Sequence, residues 1–443
     1  MSWRTLYADK LVTAEEAAGE VESGDRLWTG MLNSVPMTFA RTLHGRRAGG
    51  PSGNGLRDVE VQYHMSPFNW LSDGGGESFR PHTGFTTAMD RGAVNGGEAE
   101  YLPMGNFERG HWLRFLPRLN IGVVTMSPPD DNGYLSFGGG LWANKTMRQV
   151  CDRWFAEIDE RLIRTAGDNY LHISEVDLLF DHDSSDDREL PIAPRDPEVE
   201  DAAAVICTLV AEELIADGDC LQIGLGDVSA ALPVFLGNRK ELGLQTELFG
   251  GGVIDKIEEG VITGSRKQMA QHKAVGSGFA QMSADELRRG HMHPQIELWD
   301  FCDTDDLRKL VQNDNYKAIN NALQIDATGQ VTAETLGTQT WSGPGGQTIF
   351  AMAGSYSAGG SSIIVLPSSS VVNGERVSRV VASLPPGVMV TVPRTFVDYV
   401  VTEQGVATLS GRTVRQRVEE LVSVSHPDFR EDLRKQAVAT YGL

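Results

Sequence analysis

Cysteine is scarce. Cys151, Cys207, Cys220 and Cys302 are scattered through 443 residues with no CxxC among them. That spacing excludes a disulfide scaffold or a cysteine zinc framework and fits buried thiols in a reducing compartment. Long apolar runs are missing as well. No stretch approaches the ~18–20 residues needed to span a bilayer. The opening MSWRTLYADKLVTAEEAAGEV lacks the apolar core of a signal peptide, so the expected location is the cytoplasm. Positive charge is short: 39 Lys and Arg stand against 60 Asp and Glu, a formal net charge of −21. This argues against nucleic acid or an anionic membrane as partner. An anionic ligand would need local positive potential or backbone donors. Aromatic residues are only 7% and scattered, giving no stacking platform.

What is present is ample core material, with 40% hydrophobic and 22% charged residues. The length exceeds the roughly 250–300 residues at which one hydrophobic core stops growing, so two domains are expected. Thr13 followed by Glu16 reads as a capping box, with a helix to about Glu22. Arg26–Thr29 and Val59–His64 read as strands, and Pro36 opens a helix toward Arg46. Leu119–Met126 has the length and content of a buried parallel strand. It leads into the turn SPPDDNGYLSFG with a short return strand at Tyr134–Phe137. Trp154–Ile158 and Val176–Phe180 are further apolar segments.

The acidic, proline- and serine-rich Asp181–Asp201 reads as a linker, with the boundary near residue 195. A helix over Glu198–Ala216 and a strand at Leu221–Ile223 restart the pattern. Apolar strands are expected at Thr348–Ala353, Ile363–Leu366 and Val388–Val392, and helices near Val414–Val422 and Phe429–Ala439. The succession of strands and helices is that of an α/β protein with mainly parallel, open sheets. Two domains follow, 1–195 and 196–443, and a duplicated architecture is open.

The stretch Leu242–Gly260, LGLQTELFGGGVIDKIEEG, organises the second half. Its first residues alternate as a short strand. Gly250–Gly252 then permit a tight turn, and Val253–Glu259 resumes at helical spacing with Gly260 as its stop. Glu247 falls at the carboxyl end of the strand, near a helix N-terminus. Open α/β sheets hold ligands at that edge, and a carboxylate kept ionised there could act as a nucleophile. On spacing alone a solvated strand-end glutamate is the commoner case.

Other motifs are weak singly. Gly224-Leu225-Gly226-Asp227 lies between a strand and a helix, where amides could converge on a phosphate or carbonyl oxygen. It lacks the third glycine of a dinucleotide fingerprint, and no GKS or GKT follows. GPGGQ, Gly343–Gln347, begins a glycine-rich loop reaching Gly360, and Gly345-Gly346 permit the close backbone approach that an oxyanion hole requires. His291 and His293 form an HxH with no third metal ligand at a recognisable spacing. Ser368–Ser370 lacks a GxSxG elbow.

Eight stretches taken in order nevertheless carry a resemblance: SPPDDNGYLSFG, LQIGLGDVSAAL, LGLQTELFGGGVIDKIEEGVITG, QIDATGQVTAETLG, SGPGGQ, SSIIVLPS, VVTEQGVATLSG and SHPDFREDL. Together they resemble the acetyl-CoA hydrolase/transferase family. These are single-chain, glutamate-dependent class I CoA-transferases, including 4-hydroxybutyrate CoA-transferase and succinyl-CoA:acetate CoA-transferase. The resemblance runs from about Leu11 to Leu433. It implies two open-sheet α/β domains of the CoA-transferase type, the second carrying the catalytic glutamate at Glu247, and a homodimer or higher homo-oligomer. The family's GxG loop maps to Gly224, Leu225 and Gly226. The loop of Gly345 and Gly346 would donate an amide, best assigned to Gly346, to the thioester oxygen.

The implied reaction transfers CoA between an acyl-CoA and a small carboxylic acid. It is ping-pong through an acyl-glutamyl anhydride and a glutamyl-CoA thioester. Coenzyme A enters as substrate, and no permanently bound cofactor or metal is required. Net thioester hydrolysis at the same site and a non-catalytic CoA- or metabolite-binding protein are the alternatives. The chain departs from the family at Phe249-Gly250-Gly251-Gly252. It departs again after GGQ, where an acid and an arginine give way to Ile349 and Met352. Gln347, Ile349 and Met352 are therefore the candidate acyl-pocket residues, in a more apolar pocket that makes a substrate other than acetate plausible. Val371 stands where a lysine is common, leaving Arg376 or Arg379 for CoA phosphate contacts.

Overall fold

Reciprocal capping starts the first helix that the sequence marks. Glu16 N donates to Thr13 Oγ1 at 3.1 Å and Thr13 N to Glu16 Oε2 at 2.8 Å, opening α1, Ala14–Gly19. The computed structural model describes residues 2–51, 55–105, 113–186 and 197–443. The chain divides into two units. One is Met1–Ile192 with Ser277–Phe279 and Leu287–Asp303; the other is Ala193–Gly276 with Ala280–Glu286 and Thr304–Leu443. The expected boundary at residue 195 lies outside the described residues.

The first unit is built on strands β1 (Arg26–Met31), β2 (Val59–His64), β3 (Phe79–Thr83), β4 (Glu100–Tyr101), β5 (Leu119–Met126), β6 (Cys151–Ile158) and β7 (Leu178–Asp181). They form one open parallel sheet in the order β7-β6-β5-β1-β2-β3-β4. Every residue of β2 is buried, as is all of β5 except Asn120. A parallel strand covered on both faces needs such a run. Helix α2, Met37–His44, buries Phe39, Ala40 and Leu43 against Leu27, Val61, Ile121 and Phe155. The return strand expected after the proline turn is Tyr134–Ser136, paired antiparallel with Tyr170–His172.

The second unit repeats the plan. Its strands are β8 (Cys220–Ile223), β9 (Gly243–Gln245), β10 (Ala274–Gly276), β11 (Tyr316–Asn321), β12 (Ser361–Val365), β13 (Tyr399–Thr402) and β14 (Gly405–Thr408). They lie in the order β14-β13-β12-β11-β8-β9-β10, parallel except for the β13–β14 hairpin. In each unit the first strand sits inside the sheet and the order reverses beside it, between β1 and β5 and between β8 and β11. Open α/β sheets bind ligands at such switch points, beyond the carboxyl ends of the strands. Helix α3, Pro197–Leu209, runs into one π-turn at Val210–Leu214, whose Ala211 carbonyl accepts from Arg239 Nε at 2.9 Å. Helix α4 is Val253–Glu258.

Two expected strands are absent. Thr348–Ala353 lies inside a helix, α5, Gln347–Tyr356. A six-residue apolar run does not distinguish strand from buried helix by period alone. Here Phe350, Ala351, Ala353 and Gly354 are buried at helical spacing, and Gly354 packs on β12 so closely that an added Cβ would stand 2.5 Å from the Ser361 carbonyl. Much of the expected Gly343–Gly360 loop is therefore helical. Val388–Val392 is bracketed by Pro385-Pro386-Gly387 and Pro393 and makes one bridge only, Val392 to Val331. Helices α6 (Val414–Val424) and α7 (Arg430–Tyr441) stand where expected. They close a core with Val400, Ala407 and Leu409.

Candidate active site

Every residue just before Glu247 is tied down. Lys267, almost wholly buried, donates from Nζ to the Leu244 carbonyl at 3.0 Å and to Gln245 Oε1 at 3.2 Å. Tyr316 Oη donates to the Gln245 carbonyl at 2.7 Å. Thr246 donates from N to the Val275 carbonyl and from Oγ1 to the Ile223 carbonyl, at 3.0 and 3.1 Å. Glu247 thus leaves the carboxyl end of β9 from a fixed base and is half-buried.

Its carboxylate accepts, at Oε2, a hydrogen bond from the Gly346 amide at 3.0 Å. Gly346 is the N-cap of α5, so the positive end of that helix faces the glutamate. The nearby helix expected from sequence was α4. Its entry is otherwise occupied: Gly252, at φ +83°, donates to Glu286 Oε1 at 2.6 Å. The correction follows from the strand-to-helix reassignment of Thr348–Ala353.

Gly346 is fixed by crowding. A Cβ there would meet Phe350 Cε2, Asp305 Oδ2 at 2.6 Å and Glu247 Oε2 at 2.7 Å. Gly345 adopts φ +49°, in the left-handed region that glycine tolerates. The loop is anchored upstream, where Trp341 N and Ser342 N donate to the Glu334 carbonyl at 2.7 and 3.1 Å.

The Gly224–Gly226 loop leaves β8 at the switch point and is packed against two asparagines that end β11. An added Cβ at Gly224 would stand 2.6 Å from Asn320 Oδ1, and one at Gly226, whose φ is +144°, would collide with the Asn321 amide. Asn321 Nδ2 donates to the Leu225 carbonyl at 3.0 Å, and Gln222 and Asn320 exchange reciprocal bonds at 3.0 and 2.9 Å. Gly224 N is engaged in the sheet, donating to the Ile319 carbonyl at 2.9 Å. Gln347 Nε2 then donates to the Asn321 carbonyl at 2.8 Å. Asn321 therefore couples the GxG loop to the loop holding Glu247. Sequence reading passed over it, although two adjacent asparagines at the end of an apolar strand were a signal.

Of the expected pocket residues, Gln347 is buried and occupied by that bond. Ile349 packs on the cluster of Cys220, Leu310, Tyr316 and Phe350, and Met352 is half-buried one turn on. A small apolar cavity does adjoin the site. It is lined by Gly224, Leu225, Leu244, Leu248 and Gln281 among others, with room for about one water. Phe249 packs on Gly276, whose added Cβ would lie 2.8 Å from its ring.

Electrostatics near the loops are mixed. Arg379 is half-buried; desolvation lowers its pKa, partly offset by Asp227 and Glu403. Arg376 instead donates to Ser369 Oγ and Glu198 Oε2, both at 3.0 Å. Tyr316 is pushed well above the usual phenol range, first by burial and then by Cys220 and Asp305. His291 Nδ1 accepts from Arg164 N and His293 Nδ1 from Gln295 N, each at 3.2 Å. Among the described residues no group of His, Cys, Asp and Glu is arranged to hold a metal, and no helix is long and apolar enough to cross a membrane.

Residues 1–187 match the acetyl-CoA hydrolase/transferase N-terminal domain and residues 284–437 the C-terminal domain. The chain is 32% identical over 438 residues to the 4-hydroxybutyrate coenzyme A transferase of Clostridium kluyveri, covering 98% of this chain and 99% of that one. It is 33% identical over 442 residues to the succinyl-CoA:cyclohexane-1-carboxylate CoA transferase of Geobacter metallireducens, covering 98% and 97%. The crystal structure of RipA from Yersinia pestis superposes with a TM-score of 0.88 at 29% identity over the full length of both chains. The 4-hydroxybutyrate CoA-transferase of Porphyromonas gingivalis gives 0.77 at 27%, covering 99% and 100%. The class is therefore that of CoA-transferases on paired open α/β sheets. The chain belongs to the acetyl-CoA hydrolase/transferase family, and its reaction is transfer of CoA between an acyl-CoA and a carboxylate.

Proposed function

We propose that Glu247 is the nucleophile of a ping-pong acyl-CoA:carboxylate CoA-transferase of the 4-hydroxybutyrate CoA-transferase kind. The supporting observation is the 3.0 Å bond from the Gly346 amide to Glu247 Oε2. A Glu247 oxygen attacks the thioester carbon, the C–S bond breaks, and an acyl-glutamyl anhydride and CoA thiolate result. The thiolate then attacks the glutamyl carbon, expelling the donor's carboxylate and leaving a glutamyl-CoA thioester. An acceptor carboxylate runs the two steps in reverse and leaves as the new acyl-CoA.

The Gly346 amide lies on an oxygen of Glu247 itself. It therefore serves the tetrahedral centre formed when thiolate attacks the glutamyl carbon, rather than the substrate's thioester oxygen. The oxyanion on the substrate is assigned to the Leu225 and Gly226 amides, since Gly224 N is spent on the sheet. Ile349 and Met352 make the acyl side less polar, and Arg379 is the cation for CoA phosphates. CoA is a substrate and no resident cofactor takes part. The protein works in the cytoplasm as a homodimer or larger homo-oligomer.

The test mixes the protein with a panel of acyl-CoAs and seeks a CoA adduct on Glu247 by borohydride trapping and peptide mass spectrometry, with and without carboxylates. An adduct discharged by carboxylates is the expected result. CoA release at full rate without an acceptor identifies a hydrolase. Absence of adduct and turnover across the panel identifies a binding protein.

A further inference from the structure

The small apolar cavity beside the GxG loop has a closed end and an open one. All of its lining residues belong to the second unit. The floor is buried: Leu244 of β9, Pro233 of the 3-10 helix Ser229–Leu236, and Val253, the first residue of α4. Ala230 stands three residues before Pro233 on that 3-10 helix, so the two share a face. Gly252 and Pro233 close the bottom, since an added Cβ on the glycine would lie 3.4 Å from the proline Cβ. The rim is different. Leu225 and Gly250 are half-buried there and Gln281 is exposed. A Cβ on Gly250 would meet nothing within 4 Å, so the void is open on that side. Gly250 also lies in the stretch where the chain departs from its family. The entrance is thus formed by Leu225, whose amide is assigned to the substrate's oxyanion, and by residues just after Glu247.

Resting on the assignments of Glu247 and the Leu225 amide, we propose that this cavity is the subsite for the end of the acyl chain, and that Ala230 and Val253 set the chain length it accepts. A thioester whose carbonyl oxygen sits on the Leu225 amide has its acyl chain at the rim of the void. The void at rest holds about one water, and its walls are apolar. It therefore suits a short, unbranched alkyl end. Each methylene moved from water into such a place raises binding by about fourfold. Chains longer than the space must displace Leu244, Pro233 or Val253 and lose that gain. Ala230 leaves room that a larger side chain would take, and Val253 bounds the depth.

The measurement is kcat/KM for acetyl-, butyryl- and hexanoyl-CoA with one fixed carboxylate acceptor. In a ping-pong scheme that constant reports only the first half-reaction, in which the acyl chain is bound. Ratios between acyl-CoAs are independent of the fraction of active protein, so a loss of folded enzyme leaves them unmoved. The unaltered enzyme is expected to favour butyryl- over acetyl-CoA. Ala230→Leu, which fills the void, should lower the butyryl-to-acetyl ratio by at least about fourfold. Val253→Ala, which deepens it, should raise the hexanoyl-to-butyryl ratio by at least about fourfold. Unchanged ratios in the variants make the cavity a packing void only and overturn the proposal, as does a preference of the unaltered enzyme for acetyl-CoA. Should Ala230→Leu fail to fold, Val253→Ala decides alone. Absence of any turnover or adduct in the unaltered chain overturns the Glu247 assignment, a result separate from turnover with unmoved ratios.

Discussion

The amide of Gly346 donates to the carboxylate of Glu247 at 3.0 Å across 99 residues of sequence. The bond joins the end of β9 to the start of α5. It puts a backbone donor on the side chain proposed to pass from carboxylate to anhydride to thioester.

Replacing Glu247 with alanine removes the oxygen proposed to attack the thioester. Turnover should fall by more than about 10³-fold, with no CoA adduct on the variant. Circular dichroism and gel filtration should be unchanged, since the base of the residue is held by Lys267, Tyr316 and Thr246. Retained turnover with any carboxylate acceptor would rule out the assignment.

Gly346→Ala adds one methyl where Phe350, Asp305 and Glu247 already crowd. Overpacking of this kind costs about 1–3 kcal/mol. Displacement of a single oxyanion donor typically lowers kcat by about 10²–10³. Both effects should appear together, as a lower melting midpoint and a kcat loss larger than any change in KM for the acyl-CoA. A variant with normal kcat would show that the amide takes no part in catalysis.

The sequence made the strands legible where burial on both faces forces unbroken apolar runs. Leu119–Met126 and Val59–His64 have the observed bounds. Local chemistry likewise marked the cap at Thr13. Thr348–Ala353 was misread because β-branched and aromatic residues in a short run suit a strand and a buried helix equally. Only packing of Gly354 on β12 decides between them. Part of the site was missed for the same reason. Asn321 and Asp305 matter through partners 26 to 96 residues away, and pattern within a window carries no such distances. The two glycine loops were legible because close backbone approach restricts residue type at the position itself, whereas Glu247 was singled out by its place at a strand end together with the family resemblance.

Asn321 ties the two loops together, so Asn321→Leu should loosen both. It removes the Nδ2 donor to Leu225 and the acceptor for Ser229 N at 3.3 Å. Leaving those groups unpaired costs about 1–3 kcal/mol. KM for acyl-CoA should rise by about tenfold, whereas Gln347→Leu, which cuts only the link to the Asn321 carbonyl, should give a smaller rise. Equal KM values for all three proteins would show that the loops are positioned independently.

His64 offers a pH test of the first unit. It is buried at the end of β2, edge-on to Trp28 with ring centroids 5.5 Å apart. Burial lowers its pKa to about 4. The unfolded chain, with a histidine pKa near 6.5, takes up a proton that the folded chain refuses between those values. Stability contributed by the neutral ring is therefore fully present above about pH 6.5 and is lost as pH falls toward 4, by roughly 1–3 kcal/mol. Denaturant unfolding at steps of pH should show this slope, and His64→Gln should flatten it. An unchanged slope would mean that other groups carry the acid sensitivity.

The four thiols make the last prediction. Cys151, Cys207, Cys220 and Cys302 are all buried and unbonded to sulfur. Burial pushes Cys151 and Cys207 up to about 12 and Cys220 up to about 11. A thiol must ionise to attack iodoacetamide, and at pH 8 three of these are protonated as well as covered. The native protein should therefore keep full turnover and gain no carbamidomethyl groups over an hour, while the same reagent in guanidinium chloride labels all four. Loss of activity on native labelling would place a thiolate in the reaction. That would compete with Glu247 for the acyl group, since thiolate is the stronger nucleophile.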